Sequence, residues 1–417
     1  MAKFVIVGGK KPKGEIKVSG SKNAALALIP ATLLIDGITI FRNLPRIQDV
    51  FSMLEILKLL GGEYKFLSEN EILIDTRNIS YQSLKNPLVS KLRGSILFLG
   101  PLLARFGKAE ISFPGGDIIG ARPIKVHLQS LSQLGAEINI DKFIFAKMRK
   151  IKNNKIFLSE ISVTASELML MASAYSPNYV ELRMIALEPH VQTLAKFLSL
   201  LGFDVKGIGT HFVKIKKGKR LKKRIVFDIP PDPIEAGTFV ALGAATKGEI
   251  KIHPVNPEEM DALLIIAKEM NINLGIKDKT LIVKPSHLKG TKIQTGLYPK
   301  FPTDLQPPFG VMATQGEGVT LIHDWLYENR FGYLNELHQM GANVEILDPH
   351  RAIIIGPTLL HGTEVNSLDI RSGISLIIAG LVAQGKTIIH DVEKIDRGYE
   401  EIEKKLQKIG LEIERVN

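Results

Sequence analysis

Four charged residues interrupt segments that are otherwise small and apolar: Lys22 behind Ser-Gly-Ser, Arg93 ahead of GSILFLG, Asp304 inside FPTDLQ and Arg371 inside LDIRSG. Each sits at or beside the expected start of an apolar helix. Free backbone N–H groups at a helix start favour anions, and a Lys or Arg there adds to that preference. Taken singly, each arginine reads more readily as half of a surface salt bridge. Taken together, several cations facing one carboxylate argue for an anionic substrate. Segment 114–127, PGGDIIGARPIKVH, sets Gly115, Gly116 and Gly120 around Asp117 and Arg122. That composition suits a loop whose backbone approaches or covers a ligand, with a plain glycine turn before a helix as the alternative.

Other chemistries are poorly supported. Ser19 and Lys22 have the S-x-x-K spacing of acyl-serine enzymes, but no SDN or KTG partner accompanies them. No G-x-x-x-x-G-K-[ST] phosphate loop occurs, and ten histidines with no H-x-x-x-H pair argue against a metal site. The absence of cysteine excludes thiolate nucleophiles, disulfides and iron–sulfur clusters, and suits a reducing cytoplasm. Lys+Arg of 54 against Asp+Glu of 43 leaves 54 − 43 = +11, a balance that admits anionic partners without choosing among them. The basic run 214–224 lacks interleaved aromatics and lies between two expected strands, so it is read as a solvated hairpin loop rather than a nucleic-acid surface. No apolar stretch approaches the roughly 18 residues of a membrane span.

The elements that must position these groups recur. The blocks EILKLLGGEYKF, LQSLSQLGAEINI, AKFLSLLGFDVKG, LIIAKEMNINLGI, LNELHQMGANVEI and IEKKLQKIGLEIE align at Gly61, Gly135, Gly202, Asn271, Gly341 and Gly410. Each predicts an amphipathic helix, a Gly or Asn cap, and then a strand. A second helix per repeat, rich in Ala, Gly, Leu and Ile all round, is expected to be buried. The last repeat stops after one strand, and its missing strands resemble FVIVGG and GEIKVSG at the start of the chain. The expected organisation is therefore one globule over 21–229 carrying the 114–122 loop, a second formed by 1–20 plus 230–417, two crossing strands as a hinge, and an active site in the cleft. A cation at a helix start is seldom needed by a core, so Lys22 is expected to be replaceable without unfolding.

The strings SGSKNAALALIPA, LRGSILFLGPLLARFG, PGGDIIGARP, YPKFPTDLQ, YENRF, LDIRSG and IDRGYE, in that order along nearly the whole chain, resemble the UDP-N-acetylglucosamine 1-carboxyvinyltransferases. The resemblance implies an α/β fold of two inside-out barrels, three repeats each, shared with 5-enolpyruvylshikimate-3-phosphate synthase. It implies transfer of the enolpyruvyl group of phosphoenolpyruvate to the 3-hydroxyl of UDP-N-acetylglucosamine, with release of phosphate and no metal or organic cofactor. Nucleic acid and membrane are not expected partners. Carried over by position, Lys22, Asn23, Arg122, Arg371 and Arg397 fall at phosphoenolpyruvate contacts. Arg93, Arg122, Pro123, Ile124, Lys125, Val126, Ser162, Val163, Asp304, Leu326 and Arg330 fall at sugar-nucleotide contacts. Asp304 would accept the hydroxyl proton and Asp117 would protonate C3, with Lys22 and Arg397 also catalytic. Asp117 stands where most members carry Cys, although some carry Asp, so the alkylating drug fosfomycin is expected to leave this chain unmodified. Further departures are Glu160 where a Lys can occur, Thr164 for a customary Gly, Leu187 and His190 within a motif usually basic-Glu-Pro-Glu, and Pro233 for an Arg. Two alternatives are a catalytically retired paralogue that still binds a sugar nucleotide, and a 3-phosphoshikimate 1-carboxyvinyltransferase.

Overall fold

The computed structural model describes residues 2–117 and 119–416. The chain divides into two compact bodies: a first of 20–117 and 122–230, and a second built from 1–19, 118–121 and 231–417. The fold is mixed α/β, with helices and short strands alternating throughout.

In the first body, strand Ile38–Arg42 has Arg224–Asp228 parallel on one side, Glu71–Asp75 antiparallel on the other, and Glu63–Ser68 outermost. Val180–Arg183 repeats this with Lys155–Phe157 parallel, Phe212–Lys216 antiparallel and Asp204–Lys206 outermost. Lys108–Ile111 pairs with Ile144–Lys147 and then Glu137–Ile140, and a bridge from Leu84 to Ile111 takes the parallel position. Phe212–Lys216 and Arg224–Asp228 thus belong to different sheets, so the basic stretch between them is a crossover and not a hairpin. Alternating strands can bury one face wherever they pair, and the sequence period does not name the partner.

The second body has the same order three times. Glu249–His253 lies between Lys13–Lys17 and Thr280–Lys284, with Asn273–Lys277 outermost. Gly318–His323 lies between Lys292–Gln294 and Arg351–Gly356, with Asn343–Asp348 outermost. Lys386–His390 lies between Glu364–Asn366 and Lys3–Val7, with Glu412–Val416 outermost.

Buried helices form the middle of each core. Pro233–Ala245, Gln306–Ala313 and Ile370–Val382 pack on one another in the second body, and Leu99–Phe106 packs on Val163–Ser173 in the first. Every residue of Gln306–Ala313 is buried, and Asn23 alone breaks the burial of Lys22–Ala31. This follows from a composition with no polar stripe to present to water. The amphipathic helices all end at a left-handed residue: φ is +85° at Gly61, +120° at Gly135, +104° at Gly202, +58° at Asn271, +95° at Gly341 and +86° at Gly410. Glycine adopts this conformation without a Cβ clash, and Asn271 tolerates it while its Nδ2 donates to the His287 carbonyl at 2.8 Å.

Candidate active site

The buried helices open on caps that fix where their first side chains point. Ser21 Oγ accepts the Ala24 N–H ahead of Lys22–Ala31, and Ser162 Oγ accepts that of Ala165 ahead of Val163–Ser173. Asp232 caps Pro233–Ala245 and Asp369 makes a capping box for Ile370–Val382. Pro233 occupies the first helical position, where a missing N–H costs nothing, so the departure at that position is locally favourable. Arg93 and Asp304 do not open α-helices. They lie in 3-10 turns, Arg93–Phe98 and Thr303–Leu305, that lead into Leu99–Phe106 and Gln306–Ala313.

In the second body three predicted residues meet. Arg330 Nη2 donates to Asp304 Oδ1 at 2.8 Å, and Arg371 Nε and Nη2 reach Asp304 Oδ2 at 3.1 and 3.0 Å. Both guanidiniums are buried, at 5% exposure each. Arg371 Nη1 also donates to the Tyr399 hydroxyl at 3.0 Å, which contacts Thr238 Oγ1 at 2.9 Å. Burial alone would lower the Arg371 pKa, but Tyr399, Asp304 and Asp232 around it outweigh that and hold the guanidinium firmly protonated. Leu326 lies close by in sequence, its N–H held by Asp324 Oδ1 at 3.0 Å. Arg397 is half-buried after the short helix Glu393–Asp396. Tyr399 is a functional candidate that the charge pattern passed over, although it stands inside the IDRGYE string.

In the first body, Lys22 Nζ lies 2.7 Å from Asp49 Oδ2, with side chains only 9% and 7% exposed. This corrects the expectation that Lys22 is dispensable to the core: a buried charge that loses its partner is costly whatever the lysine does for a ligand. Asn23 follows it, half-buried. Arg122 Nη2 donates to the Asp117 carbonyl at 2.5 Å and Arg93 Nη2 to the Pro123 carbonyl at 3.2 Å. At Gly116, φ +119°, a Cβ would fall 2.9 Å from Arg122 Nη2 and 3.2 Å from Arg93 Cβ, so the glycine lets both arginines close on this turn.

Helix Lys125–Leu134 begins just beyond, with Pro123 and Lys125 exposed, Ile124 half-buried and Val126 buried. His127 on this helix is 1% exposed, and its Nε2 lies 2.8 Å from Thr164 Oγ1. Burial first, and the Arg93 charge second, depress its pKa to about 3, so the imidazole stays neutral. Thr164, a departure at this position, thereby ties the 122–127 stretch to the Ser162–Val163 helix start. Glu160 is exposed nearby. His190 Nε2 approaches Glu167 Oε1 at 3.9 Å, and burial with the Glu188 charge raises Glu167 well above the ordinary carboxylate range. The Leu187 carbonyl accepts from Gln192 Nε2 at 2.7 Å. Among the described residues no group of three His, Cys, Asp or Glu converges as a metal-ligand set, and no helix is long and apolar enough to cross a membrane.

A family model described as EPSP synthase (3-phosphoshikimate 1-carboxyvinyltransferase) matches residues 6–406. The UDP-N-acetylglucosamine 1-carboxyvinyltransferase of Treponema denticola is 39% identical over 423 aligned residues, covering 99% of each chain. The enzyme of the same name from Desulforapulum autotrophicum is 41% identical over 418, covering 100% of each. The chain belongs to the EPSP synthase family. Its full-length relatives place it in the UDP-N-acetylglucosamine 1-carboxyvinyltransferase branch of that family. Among solved structures, the enolpyruvyl transferase NikO from Streptomyces tendae matches with a TM-score of 0.90 at 21% identity, over 100% of this chain and 99% of the other. EPSP synthase from Acinetobacter baumannii matches with a TM-score of 0.78 at 20% identity, over 100% of both chains. At these identities the likeness is one of fold, and the fold is that of enolpyruvyl transferases.

Proposed function

We propose that the protein transfers the enolpyruvyl group of phosphoenolpyruvate to the 3-hydroxyl of UDP-N-acetylglucosamine, releasing phosphate, the step that commits the sugar nucleotide to peptidoglycan. The observation that carries this reading is the end-to-end relationship, near 40% identity, to enzymes named for that reaction. In the mechanism we favour, Asp304 accepts the hydroxyl proton as the sugar oxygen bonds to C2 of the enolpyruvyl group, and Asp117 delivers a proton to C3. The tetrahedral adduct then loses a proton from C3 as the C2–O bond to phosphate breaks, which restores the double bond. Lys22, Arg122, Arg371 and Arg397 are the cations assigned to the carboxylate and phosphate of phosphoenolpyruvate, and Arg supplies bidentate forks for such groups. Arg93, the 122–126 stretch, Ser162, Val163, Leu326 and Arg330 are assigned to the sugar nucleotide. The grip of two buried guanidiniums supports this reading through placement: it holds the Asp304 carboxylate ionised and in one position, although it also makes it a weaker base.

The same reading takes each body as an inside-out barrel of three repeats with a two-stranded hinge, and the enzyme as cytoplasmic. Phosphate release from phosphoenolpyruvate tests the function. It is expected only when UDP-N-acetylglucosamine is present; release with 3-phosphoshikimate instead, or with neither acceptor, overturns the assignment.

A further inference from the structure

One buried carboxylate of the second body has no part in the scheme above. Asp324 is 0% exposed and lies between the 303–306 and 326–331 segments in sequence. Its Oδ1 accepts the backbone N–H groups of Leu326 at 3.0 Å and Tyr327 at 3.3 Å, an Asx turn of ordinary kind. Its second oxygen makes the arrangement more than a local turn, because Oδ2 accepts the Thr303 hydroxyl at 2.6 Å. Thr303 is covalently next to Asp304, and Arg330, three residues beyond Tyr327, returns to Asp304 Oδ1 at 2.8 Å. The bonds close a ring: Asp304, Thr303, Asp324, the 326–330 backbone, Arg330, and Asp304 again. From behind, the Asp324 N–H donates to the His350 carbonyl at 2.8 Å, and its own carbonyl meets His350 Nδ1 at 2.7 Å.

We propose that Asp324 is a positioning residue which, through Thr303, holds the Asp304 carboxylate in register with Leu326 and Arg330. The inference rests on the proposed role of Asp304 as proton acceptor. A short O–H···O⁻ bond is among the stronger hydrogen bonds of a protein. Without it the Asp304 turn keeps its covalent neighbours and its arginines but loses its fixed distance from the segment that carries Leu326. Proton transfer tolerates little such drift, since a misplacement of about 1 Å costs on the order of 10²-fold in rate.

The test uses the full chain with Thr303→Val, Thr303→Ser, Asp324→Asn and Asp304→Asn, each assayed where circular dichroism shows it folded. Thr303→Val removes one hydroxyl at constant shape and is expected to lower kcat by about 10- to 100-fold, with KM for UDP-N-acetylglucosamine changed less than about twofold. Thr303→Ser restores the donor and most of kcat. Asp324→Asn falls between the two, because its amide oxygen still accepts from Leu326 and Tyr327 while its NH2, a donor, can meet the Thr303 oxygen only in the reverse sense and without a charge. Wild-type kcat in Thr303→Val, or a loss that Thr303→Ser fails to restore, overturns the proposal. Full activity in Asp304→Asn overturns it at its premise and sinks the assigned base, whereas an inactive Asp304→Asn beside an active Thr303→Val refutes the bracket alone.

Discussion

Replacing His127 by Gln isolates an electrostatic term whose size follows from the structure. The imidazole is buried beside Arg93, and its pKa falls from the ordinary 6.5 to about 3. The native state therefore binds fewer protons than the unfolded chain between those values, so the contribution of His127 is complete above pH 6.5 and is lost as pH falls toward 3. At pH 4.5 an unfolded histidine sits two units below its pKa and is protonated, while the native one is still neutral. At 1.36 kcal/mol per unit the native state loses about 2.7 kcal/mol relative to pH 8. Gln removes the titration and keeps an amide that can reach Thr164. Glu167, raised by burial and by Glu188, acts in the opposite sense, but it is present in both proteins and cancels from their difference. The only tryptophan is Trp325, in the second body, so its fluorescence does not follow this one. Urea-dependent hydrogen exchange in helix Lys125–Leu134 does. The stability lost between pH 8 and pH 4.5 is expected to be about 2.7 kcal/mol larger in the parent than in His127→Gln. Equal losses, or a His127 ring resonance that titrates near pH 6.5, would refute a buried neutral imidazole.

Three further outcomes follow from the site. A carboxylate is a poor soft nucleophile beside a thiolate, so mass spectrometry after incubation with fosfomycin is expected to find no adduct on the parent and a stoichiometric one on Asp117→Cys; Asp117→Asn is expected to lose on the order of 10² to 10⁴ in rate. Lys22→Ala is expected to lose turnover and also about 3–5 kcal/mol of stability through Asp49, and adding Asp49→Ala should return part of the stability but none of the turnover; a fully stable single variant in urea denaturation would contradict the buried pair. Tyr399→Phe removes the hydroxyl shared by Arg371 and Thr238 and is expected to cost about 1–3 kcal/mol while raising KM for phosphoenolpyruvate, and an unchanged KM would detach Tyr399 from the anion site.

What could be seen in the sequence was whatever repeats. The six left-handed caps share a chemical cause, a helix that must stop at a residue tolerating positive φ, and Gly or Asn marks that point each time. The buried helices were legible because they lack a polar stripe. The 3-10 starts at Arg93 and Thr303 were not, since an extra tight turn leaves no period of its own. The side-chain partners were illegible for a different reason. Asp304 meets Arg330 and Arg371 across 26 and 67 residues, and Lys22 meets Asp49 across the rest of its own helix, a 3-10 turn and a strand. Such pairings are set by packing, so a list of charged residues at helix starts names the participants without saying who holds whom. The same limit made a hairpin of the basic crossover after Phe212–Lys216, and hid Asp324, which carries no motif.

Strand Lys3–Val7 pairs with Glu412–Val416, Lys3 lying opposite Val416. On the ribosome, strand Lys3–Val7 therefore waits for some 400 further residues before its sheet closes, while the stretch 20–230 is synthesised well before then. The wait exposes an apolar edge during synthesis, when unpaired strands are most prone to find the wrong partner. It also sets Lys3 and Val416 side by side. A short linker from Val416 to Lys3, with a new opening in the partly exposed 217–223 crossover, leaves every strand pairing described in place, and it would shift the moment of sheet closure to the middle of translation.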